Sequence, residues 1–188
     1  TGGGFGAEVD NAVVRNGGVF KVRLTDPQDS TADAFGGDGY ITSNSNAQGG
    51  NTSQITLAAT ESVPDDAYNG MAIWIISGTG AGQYGYIGDY SSGTKVATVF
   101  KVSDDTAGWD HMTGAAIESS LDSTTEYVVE PRLIIDAPAS GTQALARPQV
   151  SDNKIVEIRI IEPGSGYSSN NPPAMTVVDP NEIDPLPY

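Results

Sequence analysis

The 188-residue chain has no cysteine, a single histidine (His111) and nine Lys and Arg against 24 Asp and Glu. Without thiols there is no disulfide framework, no thiolate nucleophile and no cysteine-ligated metal, and the redox compartment stays open. One imidazole among many hydroxyls picks out no catalytic triad, since a nucleophile needs a base that is itself oriented by a third group. A solvent-exposed loop position is the plainer reading of His111, which follows Asp110 in an irregular segment. The formal net charge of −15 repels a phosphate backbone, and no cluster of Lys or Arg offsets it locally, so nucleic acid and anionic membrane are poor partners. No stretch approaches the roughly 20 apolar residues that span a bilayer as a helix. The chain opens on Thr1 without an initiator Met and without a signal-peptide pattern, so a processed chain or a piece of a longer one is expected.

What is present is punctuation. With 23 Gly and 11 Pro, 38% hydrophobic and 18% charged residues, the composition favours short strands joined by tight turns, and the expected class is all-β. Runs rich in β-branched and aromatic residues recur between turn signals: Val9 to Val14, Val19 to Leu24, Gln54 to Thr60, Met71 to Ser77, Tyr84 to Ile87, Thr94 to Val102, Tyr127 to Asp136, Lys154 to Ile161 and Ala174 to Val178. Helical spacing is confined to Thr113 to Leu121, too short to decide between a helix and a single turn. Thr25 to Gly39, Thr42 to Ser53 and Asn170 to Pro173 read as loops. The tail Asp179 to Tyr188, with Pro180, Pro185 and Pro187, reads as an extended arm or linker.

One pattern occurs twice. Asn16-Gly17 leads into Val19-x-x-Val22-Arg23-Leu24 and then Gly37-Asp38-Gly39-Tyr40. Asp152-Asn153 leads into Ile155-x-x-Ile158-Arg159-Ile160 and then Gly164-Ser165-Gly166-Tyr167. A shift of 136 positions carries Val19 onto Ile155. Residues 7–24 and 143–160 are therefore expected to fold as similar hairpins, with Asn-Gly and Asp-Asn as the turns. Within Lys154 to Ile161, a period of two places Val156, Ile158 and Ile160 on the core face. The expected organisation is an N-terminal β-repeat over 1–51, a central barrel or sandwich over 52–137, a C-terminal β-repeat over 138–180 and a tail over 181–188. In the centre, Trp74, Ile76, Ile87, Val96, Val99 and Val128 are the expected core.

Candidate chemistry is sparse. Gly78-Thr79-Gly80-Ala81-Gly82-Gln83 lacks the Lys-Ser/Thr of a phosphate-binding loop and leads into a strand, so it reads as a tight turn in which glycines supply positive φ. Asp26, Asp29, Asp33 and Asp38 share one Gly-bearing loop, the kind of oxygen cluster that holds Ca²⁺, but their spacing is not that of an EF-hand and solvated carboxylates are the plainer reading. The 24 acidic residues provide many carboxylate pairs for glycosidase-type chemistry, with no reason to prefer one. Trp109, between Gly108 and Asp110 in the long stretch Thr106 to Asp122, is either an exposed contact for a sugar or protein, or a plug buried beneath its loop.

The run Ala67-Tyr68-Asn69-Gly70-Met71, a strand, Gly78 to Gln83, a second strand, then Gly93-Thr94-Lys95-Val96-Ala97-Thr98-Val99 and Thr125-Glu126-Tyr127-Val128-Val129 resembles a segment of structural proteins of tailed bacteriophages. Pro163 to Tyr167 followed by Pro172 to Val177 is similar to repeats of their tail and baseplate proteins. The resemblance covers most of the chain and implies a virion component of the tail, baseplate or fibre attachment. It implies other virion proteins as partners and a homo-oligomer, trimers being common in such particles, and neither a cofactor nor an enzymatic role. A host-glycan-binding module is the first alternative, supported by Trp109, the Tyr-rich loops and the acidic loop; a tailspike-like polysaccharide-degrading enzyme is the second.

Overall fold

The computed structural model describes residues 21–22, 42–151, 154–168 and 173–178. These residues are all-β, in antiparallel sheets. Residues 42–132 form one compact unit; 133–178, with 21–22, belong to another.

In the first unit, β2 (Ser43–Asn46), β3 (Gly49–Asn51), β4 (Gln54–Thr56), β5 (Ala72–Ser77), β6 (Gln83–Ser91), β7 (Val96–Phe100), β8 (Asp110–His111), β9 (Ser120–Leu121) and β10 (Glu126–Glu130) make one sheet. Its order is β2-β10-β5-β6-β7-β4-β3-β9, with β8 beside β6. The two ends, β2 and β9, are not bonded to each other, so the described sheet is open and no closed barrel forms. It nonetheless encloses a core, since Ala47, which follows β2, and Leu121 on β9 belong to the same buried cluster as Ile55, Ile73, Ile75, Ile87, Val99, Tyr127 and Val129.

Alternation explains which residues enter that core. On β5, Ile73 and Ile75 point inward, while Ala72 and Trp74 lie on the other face of the sheet. On β6, Gln83, Gly85 and Ile87 are buried, and an irregularity between Ile87 and Asp89 resets the phase so that Tyr90 is buried too. Such a bulge turns successive inward residues onto one side of a bending strand.

Of the six expected core residues, Ile87 and Val99 are in the central cluster. Trp74 is buried on the opposite face, stacked on Tyr84 with ring centroids 4.9 Å apart. Val96 and Val128 are half-buried, and Ile76 is 41% exposed because it follows Trp74 by two positions toward the strand end.

The other unit pairs β11 (Arg132–Ile135) with β14 (Met175–Val178), and β1 (Lys21–Val22) with β13 (Lys154–Glu162) and β12 (Leu145–Ser151) in the order β1-β13-β12. Leu133, Ile135, Ala146 and Ile158 form its core, with Ile155, Ile160, Tyr167, Met175 and Val177 packed around them. The second repeat is thus a hairpin, β12 and β13 pairing from Leu145 with Glu162 to Ser151 with Lys154. Of the first repeat's hairpin only Lys21–Val22 is described. Tyr40, the expected counterpart of Tyr167, lies outside the described residues.

Two expectations are corrected and one open alternative is resolved. Thr42 to Ser53 is not a loop but carries β2 and β3; because β2 pairs with β10, and β3 with β4 and β9, these residues belong to the central unit instead of an N-terminal module. Thr113 to Leu121 forms no helix: one turn closes from Gly114 N–H to the His111 carbonyl at 2.9 Å, and an irregular segment then leads to β9. Finally, Val156 is 51% exposed. The register slips between Gln149 and Val150, whose partners are Glu157 and Ile155, so Val156 is the extra residue of a bulge and Ile155 takes the inward place.

Candidate functional site

The densest group of polar side chains surrounds Glu61. Its carboxylate accepts the Tyr68 hydroxyl at 2.6 Å, the Tyr127 hydroxyl at 2.6 Å and the hydroxyl of Ser43. Tyr127 in turn accepts the Ala58 N–H at 3.1 Å. Tyr68 and Tyr127 are fully buried, and burial, reinforced by the neighbouring carboxylate, pushes both phenols well above the ordinary tyrosine value. Tyr90 meets Tyr68 edge to face with centroids 5.0 Å apart, and its phenol is also raised, chiefly by burial. A phenol raised this far is a poor acid and a poor nucleophile. Glu61 therefore fastens edge strand β2, the segment before β5, and β10 to one another, and its two oxygens are occupied by hydroxyl donors.

The Gly78 to Gln83 turn behaves as its sequence suggests. Gly78, Gly80 and Gly82 have φ of 73°, 82° and 94°, and a Cβ on Gly78 would collide with the Thr124 carbonyl. Thr79 donates to Asp122 at 2.8 Å, and Thr125 donates to the Thr79 carbonyl at 2.8 Å. The turn is thus bonded to the start of β10, and its hydrogen bonds go to this chain instead of an anion. Gln83, which ends the turn, is fully buried and accepts the Glu118 N–H at 2.6 Å, which pins the long segment onto the sheet.

His111 lies on β8, half-buried, over Gly82. Its Nδ1 accepts the Thr113 N–H at 3.2 Å, with the Thr113 hydroxyl 3.1 Å away. Among the described residues no carboxylate bonds the ring, so the base–orienter geometry of a triad is absent there. Its neighbour Asp110 accepts Val102 N–H at 2.8 Å, Ser103 N–H at 3.0 Å and the Ser103 hydroxyl at 2.6 Å, holding the turn after β7.

Trp109 resolves to the buried alternative: it is 1% exposed, packs in the central core and donates its indole N–H to the Asn51 carbonyl at 3.1 Å. The contact role needs an open ring, and this ring is enclosed. Asp26, Asp29, Asp33 and Asp38 lie outside the described residues; within the described residues no group of three or more metal-ligating side chains converges.

Opposite the core, the central sheet carries an aromatic row in which Tyr84, Tyr86 and Phe100 are not among the side chains singled out from sequence. Trp74 stacks on Tyr84, and Tyr86 on Phe100 with centroids 5.7 Å apart. The Arg132 guanidinium lies 4.0 Å from the Tyr86 ring centroid, and burial lowers its pKa from the ordinary arginine value. Asp105 accepts the Tyr86 hydroxyl at 3.2 Å. The signal that marks the row is alternation: Tyr84 and Tyr86 flank Gly85 on one strand, so both rings leave the sheet on the same side. Family models, curated proteins and solved structures give no match to this chain.

Proposed function

We propose that the chain is a structural assembly component of a tailed-phage particle, in its tail, baseplate or fibre attachment. The observation that supports this best is how the residues of the phage-like phrases are used. Tyr68 and Tyr127 close on Glu61, and Thr79 and Thr125 tie the glycine turn to β10. Gln83 holds a backbone amide. The groups with chemical potential are engaged in holding short strands in register, as expected of a scaffold whose work is contact rather than turnover.

A glycan-binding role draws less support. Trp109 is enclosed, and the Tyr86 ring carries a guanidinium as well as Phe100, which leaves less of its surface open to a pyranose. The acidic loop does not bear on the choice, since it lies outside the described residues.

Antibody raised against the purified chain should decorate tails of particles of the phage that encodes it. The same preparation should give no turnover of bacterial surface polysaccharide and no signal on a glycan array, with or without Ca²⁺. Unlabelled particles, or turnover abolished by replacing one Asp or Glu in a still-folded chain, would overturn the proposal.

A further inference from the structure

Two Asn-Gly steps occur in the chain, Asn16-Gly17 and Asn69-Gly70, and the second lies in the turn before β5. Asparagine side chains are lost most readily at such a step, because glycine has no Cβ to shield its backbone nitrogen from the asparagine Cγ. In that reaction the glycine nitrogen gives up its proton and bonds to Cγ, the Cγ–Nδ2 bond breaks, and Nδ2 leaves as ammonia. Water then opens the cyclic imide at one of its two carbonyls, giving aspartate or isoaspartate.

The folded turn holds both reacting groups of Asn69-Gly70. The Gly70 N–H donates to the carbonyl of Ile87 on β6 at 2.7 Å, and the Ile87 N–H returns a bond to the Met71 carbonyl at 2.8 Å, beside a fully buried Ile87 side chain. Asn69 Nδ2 donates to the Asp66 carboxylate at 2.9 Å, and the Asn69 N–H closes the turn onto the Asp66 carbonyl, also at 2.9 Å. The attacking nitrogen is thus pinned to β6 and the leaving amide to Asp66. The labile pair is also imposed by the fold, since φ at Gly70 is 82°, a conformation that favours glycine. Neither product fits the site. Asn69 Oδ1 is buried and bonds none of the described residues, so a carboxylate there would set a second negative charge against Asp66 without a partner. Isoaspartate adds a carbon to the main chain between the bonds to Asp66 and those to Ile87.

We infer that Asn69 is a gated deamidation site. Its side-chain amide survives while the turn is clamped to Ile87 and Asp66, and is converted when the turn lifts from β6. Water is the only co-reactant, and the altered residue no longer lets the clamp close as before. The turn therefore records its own opening in covalent form and in one direction only. The inference goes beyond the proposed assembly role and does not depend on it.

Incubating the full chain in mildly alkaline buffer, with and without denaturing urea, and following conversion at Asn69 and Asn16 by mass-spectrometric peptide mapping tests it. In urea the two asparagines should convert at matching rates, since each precedes a glycine. In native buffer Asn69 should convert at least about tenfold more slowly than in urea, because the clamp must open first. Asp66→Gly removes the carboxylate while allowing the φ of 64° at that position, and should raise the native rate about threefold or more. Amide hydrogen exchange at Gly70 of the wild type, read by NMR, should be slowed by a factor comparable to that for conversion, and it keeps the test open if D66G fails to fold. Native conversion as fast as in urea, Asn69 lagging behind Asn16 in urea, a folded D66G chain that converts like the wild type, or an unprotected Gly70 amide would each overturn the inference.

Discussion

The hydroxyls of Tyr68 and Tyr127 end on the two oxygens of a single carboxylate, Glu61, each at 2.6 Å. Removing that carboxylate leaves two buried phenols without their acceptor. Glu61→Ala should cost about 3 kcal/mol in urea denaturation, and Glu61→Gln, which keeps one acceptor, about 1 kcal/mol. Equal effects of the two substitutions would show that the hydroxyl bonds contribute little.

Alkaline pH should weaken the fold through the same phenols. Tyr68, Tyr86, Tyr90 and Tyr127 all have raised folded-state pKa values, with burial the first cause. The folded state therefore retains protons that the unfolded state loses. The stabilising contribution is complete below the ordinary tyrosine value of about 10 and is lost as pH rises beyond it. Ultraviolet titration should find Tyr68 and Tyr127 silent until the chain unfolds, and Tyr86 and Tyr90 titrating above the ordinary value. A single ordinary titration of all eight tyrosines in the folded state would contradict the packing.

Gly78→Ala should destabilise by about 2 kcal/mol or more, because φ there is 73° and the new Cβ meets the Thr124 carbonyl. Gly93→Ala is the matched control, since a Cβ at Gly93 meets nothing within 4 Å; its effect should stay within roughly 0.5 kcal/mol. Thermal melts of the two variants suffice to compare them.

The bulge in β13 makes an opposite pair of expectations for two neighbouring aliphatics. Ile158 is fully buried and Val156 is 51% exposed. Ile158→Ala should cost roughly 2–5 kcal/mol, whereas Val156→Thr should fall within about 0.5 kcal/mol. A large loss at Val156 would place it inside and remove the bulge.

The strands easiest to read in the sequence are those with one apolar face. Ala72–Ser77, Val96–Phe100 and Lys154–Glu162 fall within or close to their expected runs because burial forces alternation of β-branched residues. Ser43–Asn46 does not read that way: as an edge strand it alternates half-buried and exposed polar residues, and its place is set by partners on β10 far along the chain. Val156 departs from its expected face because strict alternation has no means of marking an inserted residue. Trp74 is buried as expected, but on the face away from the central cluster, since period two shows which residues share a side and not which side is inside. The Glu61 cluster is legible only in three dimensions: an acidic residue between Ala58-Ala59-Thr60 and Val63-Pro64 shows no cation nearby in sequence, and its partners are phenols brought from elsewhere.

The pairing of β2 with β10 also sets an order of events during synthesis. Asn46 meets Glu126, and Ser43 meets Val129, so the earliest strand of the central sheet has no ladder until nearly the whole unit has left the ribosome. Contacts so distant in sequence require a large loop to close first, and chains dominated by them fold slowly. β5 pairs with β6 and β6 with β7, so these three consecutive strands can form early as a meander. The arrival of β10 against β5, bringing Tyr127 to Glu61, is then the step that recruits β2 and completes the sheet. Slowing translation between residues 100 and 126 should therefore prolong a protease-sensitive state of the nascent chain while leaving the finished fold unchanged.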